Sequence, residues 1–248
     1  MIVAAAVIGI SASSCRSAHW AVDPSAVFFP LKPHMMWTYR VESKSQRANY
    51  IVTDMVMGPQ YVPALKISGA VVQEFYNFDR AGLRPIIYLE KDGYLTRLSG
   101  LDYVQQQIKG PAWGRSIEER FLPQHLTPDR SWDNKLFPYG QLPGSFDIAQ
   151  RHKSFGEPEE VAVPAGHFRG CIRIETQAHY EGGAYAQQKM NLSLAYADWY
   201  APNVGLIKTI AYQGNSDGPE MERVELIRFE TSTKAAKSEP QGTPHRTS

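Results

Sequence analysis

From Met36 the chain alternates. Trp37, Tyr39 and Val41 fall on one side of an extended segment, and Met36, Thr38 and Arg40 on the other. That period of two is what a half-buried strand requires. It returns over 47–56, 64–72, 85–90 and 94–99. It is clearest late in the chain, where Phe168, Gly170, Ile172, Ile174 and Thr176 share one face and Arg169, Cys171, Arg173 and Glu175 the other. Leu192, Leu194 and Tyr196 define a further strand, 206–212 alternates again, and 223–230 closes the series. No sustained helical period of 3.6 interrupts these segments. The 101–109 stretch reads as a short helix or another strand, and 138–160, rich in Gly, Pro and charge, reads as a loop or a poorly packed edge. The pattern predicts an all-β, mostly antiparallel fold: a curved sheet, half-barrel or small closed barrel with few short helices.

The turns agree. Lys91-Asp-Gly-Tyr94 carries the Asp-Gly pair that a two-residue hairpin needs. Pro164 with Gly166, and Pro202 with Gly205, mark structural turns in which proline fixes φ and glycine supplies a positive one. Residues 180–184 and 215–219 also read as turns. Leu31-Lys-Pro-His-Met-Met-Trp37 and Leu126-Thr-Pro-Asp-Arg-Ser-Trp132 share the pattern Leu-x-Pro-x-x-x-Trp. Two similar strand openings suggest two β-halves, 28–110 and 120–230, within a single β domain of 28–230. Residues 231–248 are polar and read as a disordered tail.

Composition changes this picture little. The 248 residues are 43% hydrophobic and 21% charged, with a net charge of +1. So even a balance gives no electrostatic reason to expect nucleic acid as a partner. The 13 Tyr and 5 Trp suit strands.

The first ten residues are almost wholly apolar and lead into Ser11-Ala-Ser-Ser-Cys15. This is too short for a membrane span, which takes about 20 apolar residues, and reads as a signal segment over 1–15 followed by a tether over 16–27. Small residues before a cysteine resemble a bacterial lipobox, with Cys15 as the lipidated residue. Two features depart from it: no Lys or Arg precedes the apolar run, and Ala12 stands where Leu is usual. The plainer reading is a cleaved signal and a soluble secreted or periplasmic protein.

Most of the remaining chain resembles a broad group of uncharacterised bacterial envelope lipoproteins. The matching residues are Phe29-Pro-Leu-Lys-Pro33 with Trp37 and Tyr39, Val163-Pro-Ala-Gly166 with Phe168, and Trp199-Tyr-Ala-Pro202 with Val204-Gly-Leu-Ile-Lys208. The group carries glycine where His34 stands here. It is similar to the TapB-like and DUF3108-like groups and, at the level of fold analogy, to the half-barrel of the LolA/LolB carriers. The resemblance implies lipid anchoring in the envelope, at the periplasmic face of the outer membrane or the cell surface. It is nearly silent on activity.

No reaction can be read from the residues. There is no Gly-x-Ser-x-Gly elbow, no phosphate-binding glycine loop and no His-Glu-x-x-His. Cys171 with His167 lacks a third, orienting group. His167 and His179 across a sheet are too few for a metal site. Glu157, Glu159 and Glu160 sit together in one predicted loop, not on opposite walls of a cleft. The expectation is a protein that is not an enzyme, with no cofactor and no metal. Its partners would be the membrane through an N-terminal lipid and an apolar small molecule held in the sheet's concavity. A structural module is the plainer form of this reading. The alternatives are an envelope protein bound in an assembly role and, least supported, a hydrolase of envelope polymers. Trp37, Tyr39, Trp132, Phe168, Ile172, Ile174 and Trp199 are the candidate cavity-lining residues, although such aromatics more often plug a β core.

Overall fold

The computed structural model describes residues 25–44, 47–63, 66–77, 84–99, 101–104, 107–111, 117–136, 146–185 and 188–231. The leader, Cys15, most of the tether and the tail beyond Thr231 lie outside the described residues. Among those described there are strands and turns but no helix. In chain order they are β1 (Met36–Ser43), β2 (Ala48–Val62), β3 (Ile67–Tyr76), β4 (Arg84–Lys91), β5 (Tyr94–Ser99), β6 (Leu101–Val104), β7 (Gln107–Pro111) and β8 (Ile117–Pro123). There follow β9 (Ser131–Leu136), β10 (Phe146–Ser154), β11 (Glu159–Val163), β12 (Gly166–Tyr185), β13 (Gln188–Ala201), β14 (Gly205–Gln213) and β15 (Glu220–Glu230).

Twelve of these run in the order β8-β5-β4-β3-β2-β1-β15-β14-β13-β12-β10-β9, all neighbours antiparallel, as a nearly closed barrel. The order divides into two meanders of six, β1 to β5 with β8, and β9, β10 and β12 to β15. Each meander opens on one Leu-x-Pro-x-x-x-Trp segment. In both, the residue after proline has a positive φ: 65° at His34 and 55° at Asp129. An Asp or His tolerates this where glycine would be the default. The first turn closes with Met35 N donating to Lys32 O. In the second, the Ser154 hydroxyl is wedged into the gap, accepting from Arg130 N and donating to Thr127 O.

Antiparallel pairing with an even number of strands fixes a polarity. Met36 pairs with Glu230, so β1 begins and β15 finishes at the same end. Both opening turns, the Asp92-Gly93 hairpin, the Pro164 hairpin and the Pro202 turn lie at that end too. Residues 25–31 run across it. Asn203 N donates to Val27 O, Phe28 packs with Leu122, Leu126, Trp132, Ile172 and Tyr200, and Phe29 stacks at 5.8 Å on Trp37 and meets Tyr88 and Phe121 at 5.0 Å each. This end is plugged by aromatic rings.

Directly paired residues share a face of a sheet, so the register sorts the barrel's inside from its outside. Outside, the second half is laced with ion pairs: Arg40–Glu225 at 3.0 Å, Arg173–Glu175 at 3.3 Å and Arg151–Asp133 at 2.9 Å. Those faces meet water, since a lipid-facing barrel wall carries an apolar band there. The first half instead buries Val62, Val71, Ile87 and Leu98 on its outer side, and the β6–β7 hairpin lies against β4 and β2.

Three local expectations are corrected. Residues 146–154, expected as loop, form β10; its polar inward positions hide the alternation. The 180–184 turn is still strand, because β12 runs on to Tyr185 with a register shift between Gly182 and Ala184. Of the two readings of 101–109, the strand holds, as the β6–β7 pair. Alternation in β12 slips at Gly170, whose φ of 70° makes a bulge that no larger residue adopts easily. Cys171 is therefore fully buried instead of sharing a solvated face with Arg169.

Candidate functional site: a polar chamber inside the barrel

A barrel of about eight strands is filled by its own side chains, and one of sixteen leaves a channel. Twelve strands fall between. The inner face here is apolar near the plugged end and polar above it. Following the register from β2 around the barrel, inner positions carry Asp54, Glu74, Arg97, Glu119, Gln150, His152, Thr176, Tyr196, Asp198 and Thr209. A chamber of about 360 Å³ lies among those from Arg97 onward, partly open, with Phe121, Leu122, Ile174, Tyr180, Tyr200 and Leu206 completing its wall. It is at the small end of the range that ligand cavities occupy.

At its centre Arg97 donates from Nε to Glu119 Oε2 at 2.9 Å, with Nη2 on the same oxygen. The guanidinium lies 5.1 Å from the Phe121 ring centroid. Burial disfavours its charge, but the neighbouring Glu119 more than offsets that and holds the cation. Opposite, Asp198 Oδ1 accepts from the Thr209 hydroxyl at 2.6 Å. Burial pushes the Asp198 carboxyl up to about 6, against the Thr209 bond and the more distant Arg97. Asp54 is pushed up further, to about 8, by burial and then by Glu74, with Arg97 opposing. Asp198 keeps some accessible surface, and it lines the chamber.

On the remaining wall His152 stacks on Trp132 at 4.9 Å. Its Nδ1 meets Thr176 Oγ1 at 2.8 Å and its Nε2 meets Asn134 Nδ2 at 3.0 Å. Because an amide NH2 can only donate, Nε2 accepts and Nδ1 carries the proton. Burial lowers the imidazole to about 4, so it is neutral at ordinary pH. Asn134 then reaches across to β8, accepting from Arg120 N and donating to Arg120 O. Trp132 Nε1 donates to the same carbonyl at 3.0 Å. These side chains, not a backbone ladder, join the two ends of the sheet.

Of the residues expected to line a cavity, Ile174 does. Trp37, 1% exposed, sits below the chamber in the plug, its Nε1 donating to Val204 O at 2.6 Å. Tyr39 donates to Leu206 O, and Ile172 belongs to the plug cluster. Trp132 holds the seam. Trp199 faces outward, donating to Glu159 and lying under Lys208, and Phe168 packs partly buried beside the β11 strand. Gly166 and Gly205 have φ of 141° and 108°. A Cβ on Gly205 would also press on Trp37 Nε1 at 3.4 Å. Cys171 donates to Phe168 O, and burial pushes its thiol up to about 12, while His167 is exposed on the hairpin.

The polar wall was missed because its residues interrupt apolar faces one at a time. The signal was present at Asp198, the next inward step after Leu194 and Tyr196 on β13.

No protein-family profile matches the sequence, and no curated protein does. Among solved structures, a presumed lipoprotein of Parabacteroides distasonis is similar, with a TM-score of 0.53 and 13% identity over 83% of this chain and 99% of that one. A presumed exported protein with a YmcC-like fold from Bacteroides fragilis aligns over 83% of this chain and 100% of its own, at 14% identity and a TM-score of 0.43. At 13% identity the first likeness is one of fold.

Proposed function

We propose that this is an exported envelope protein, lipid-anchored at Cys15, whose barrel is a non-catalytic binding module for a small polar molecule. The observation that carries the reading is the chamber of about 360 Å³ with Arg97, Glu119, His152, Thr176 and Asp198 in its wall. Buried polar groups are costly unless partnered, and a filled apolar core would be the cheaper way to stabilise a scaffold. The apolar leader ending at Cys15 supports export, and so does the lipoprotein description of the Parabacteroides chain. The test is native mass spectrometry of the full chain purified from its own envelope. A polar adduct of constant mass is expected, and it is lost in Gln150→Leu; a bare chain under every mild condition overturns the reading. Cys15→Ser moves the protein out of the membrane fraction if the anchor is real, and unchanged fractionation removes that part alone.

A second reading, an apolar ligand, is favoured by one hollow of about 390 Å³ at the plugged end. Val27, Phe28, Phe29, Leu95, Leu122 and Leu126 contribute to it. A lipid adduct in the same experiment selects this reading over the first.

A further inference from the structure

We propose that the occupant of the barrel chamber is a small organic cation, an ammonium or amidinium carried on a short chain. This rests on the reading that the chamber binds a ligand, and names the ligand's class.

Three observations carry it. The first is charge. The chamber wall holds two carboxylates, Glu119 and Asp198, against one guanidinium, Arg97. Arg97 is committed to Glu119 through both Nε and Nη2, and His152 is held neutral by burial. Asp198 has a hydroxyl partner, Thr209, but no ion pair is formed with it among the described residues. One negative charge in the wall is left over.

The second is hydrogen-bonding sense. In the chamber wall, one buried side-chain oxygen has no hydrogen-bond partner among the described residues, Gln150 Oε1. An amide oxygen is an acceptor. A buried acceptor left open costs about 1–3 kcal/mol, so the space calls for a donor-rich guest. A carboxylate, phosphate or sulfate guest would supply only more acceptors and meet Asp198 as a like charge.

The third is the rest of the wall. Phe121, Tyr180, Tyr196 and Tyr200 present rings to the chamber, and ring faces attract organic cations. The hydroxyls of Tyr180 and Tyr196 lie 3.3 Å apart, directed at each other. No three metal-ligating side chains converge among the described residues, which favours an organic cation over a metal ion. Burial raises the Asp198 carboxyl only to about 6, so it is charged at neutral pH.

The test is calorimetric titration of the full chain with three probe classes of matched size. Butylamine, 1,4-diaminobutane and agmatine are the cations; 1,4-butanediol is the neutral probe; butyrate is the anion. At least one cation is expected to saturate the protein at one site, tightening as pH rises through 6 to 8 and releasing protons to the buffer. Asp198→Asn should weaken it about tenfold or more, and Gln150→Glu should tighten it, which guards against a folding defect in the first variant. Saturable binding of the diol or butyrate, blocked by Gln150→Leu and without cation binding, overturns the charge assignment and leaves the chamber reading standing. Binding by no class overturns both.

Discussion

The barrel is joined to itself in two places, by different means. Between β1 and β15, eight residue pairs run from Met36–Glu230 to Ser43–Glu222 with one bulge at Thr38/Tyr39. Between β8 and β9 no ladder forms among the described residues, and the Arg120 backbone is satisfied by Asn134 and Trp132 side chains. A ladder spreads cohesion over many equivalent bonds, each worth about 0.5–1.5 kcal/mol net. A side-chain joint concentrates it in a few atoms. The tryptophans that open the two meanders differ in the same sense. Trp37 pairs across its hairpin with Asp54, Trp132 with His152. One half thus sets a carboxyl beside its tryptophan and the other an imidazole, and burial drives both toward the neutral form. The lesson is that closing a sheet and holding a chamber are separable tasks. The ladder joint closes; the seam closes while contributing His152, through Asn134, to the chamber wall.

The largest expected effect comes from the tryptophans. Trp37→Ala should cost about 3–5 kcal/mol, a large part of the 5–15 kcal/mol typical of a folded domain, read by urea denaturation. Trp132→Ala should cost a similar amount. If it costs under about 1 kcal/mol, the seam is not a joint and the comparison fails. Next comes Asn134→Leu, which strips partners from Arg120 and His152 at about 1–3 kcal/mol. Hydrogen exchange should then quicken at 118–121 on β8 while β1 keeps its protection; a uniform rise would show both joints to be one cooperative unit.

The ion pairs offer an intermediate contrast. Glu119→Gln breaks a buried pair and should cost about 3–5 kcal/mol if Arg97 stays charged. Asp133→Asn, at an exposed pair with Arg151, should stay within about 1 kcal/mol by the same denaturation curves.

The last contrast is a pair of opposed pH slopes. Asp54 rises from near 3.8 unfolded to about 8 folded. The folded state therefore holds the extra proton between those values, and stability falls as pH climbs through them. Asp198 does the same between about 4 and 6. His152 falls from 6.5 to about 4, so the unfolded state holds the extra proton and stability rises with pH over that interval. The slopes oppose each other below 6.5, and Asp54 alone of the three remains above it. Asp54→Asn should flatten the decline in melting temperature between pH 6.5 and 8, and His152→Gln should steepen the fall between 4 and 6.5. An Asp54→Asn variant whose melting temperature still falls between pH 4 and 6 would mean that His152 does not offset Asp198 and so does not titrate as its burial requires.

The strands with uniform faces were legible in the sequence, as in β1 and β14, and so were the turns at Asp92-Gly93, Gly166 and Gly205, where chemistry dictates φ. β10 was not, because Gln150, His152 and Ser154 point inward and erase the contrast on which alternation depends. The chamber was hidden for the same reason: its wall is assembled from one or two polar residues on each of six strands, β5, β8, β10, β12, β13 and β14, and only the closing of the sheet gathers them. Trp199 misled because a large aromatic in an alternating strand looks inward, whereas its indole donates to Glu159 and lies under Lys208 on the outside.

The polarity of the barrel has a consequence for approach. The aromatic plug, the proline turns and both described ends of the chain share one rim, and Gln150, Tyr180 and Tyr196 line the chamber on the side away from it. Under the anchor proposed at Cys15, the tether would hold the barrel by its plugged rim. The chamber residues would then stand on the side away from the membrane, so the proposed guest would not have to pass the aromatic plug.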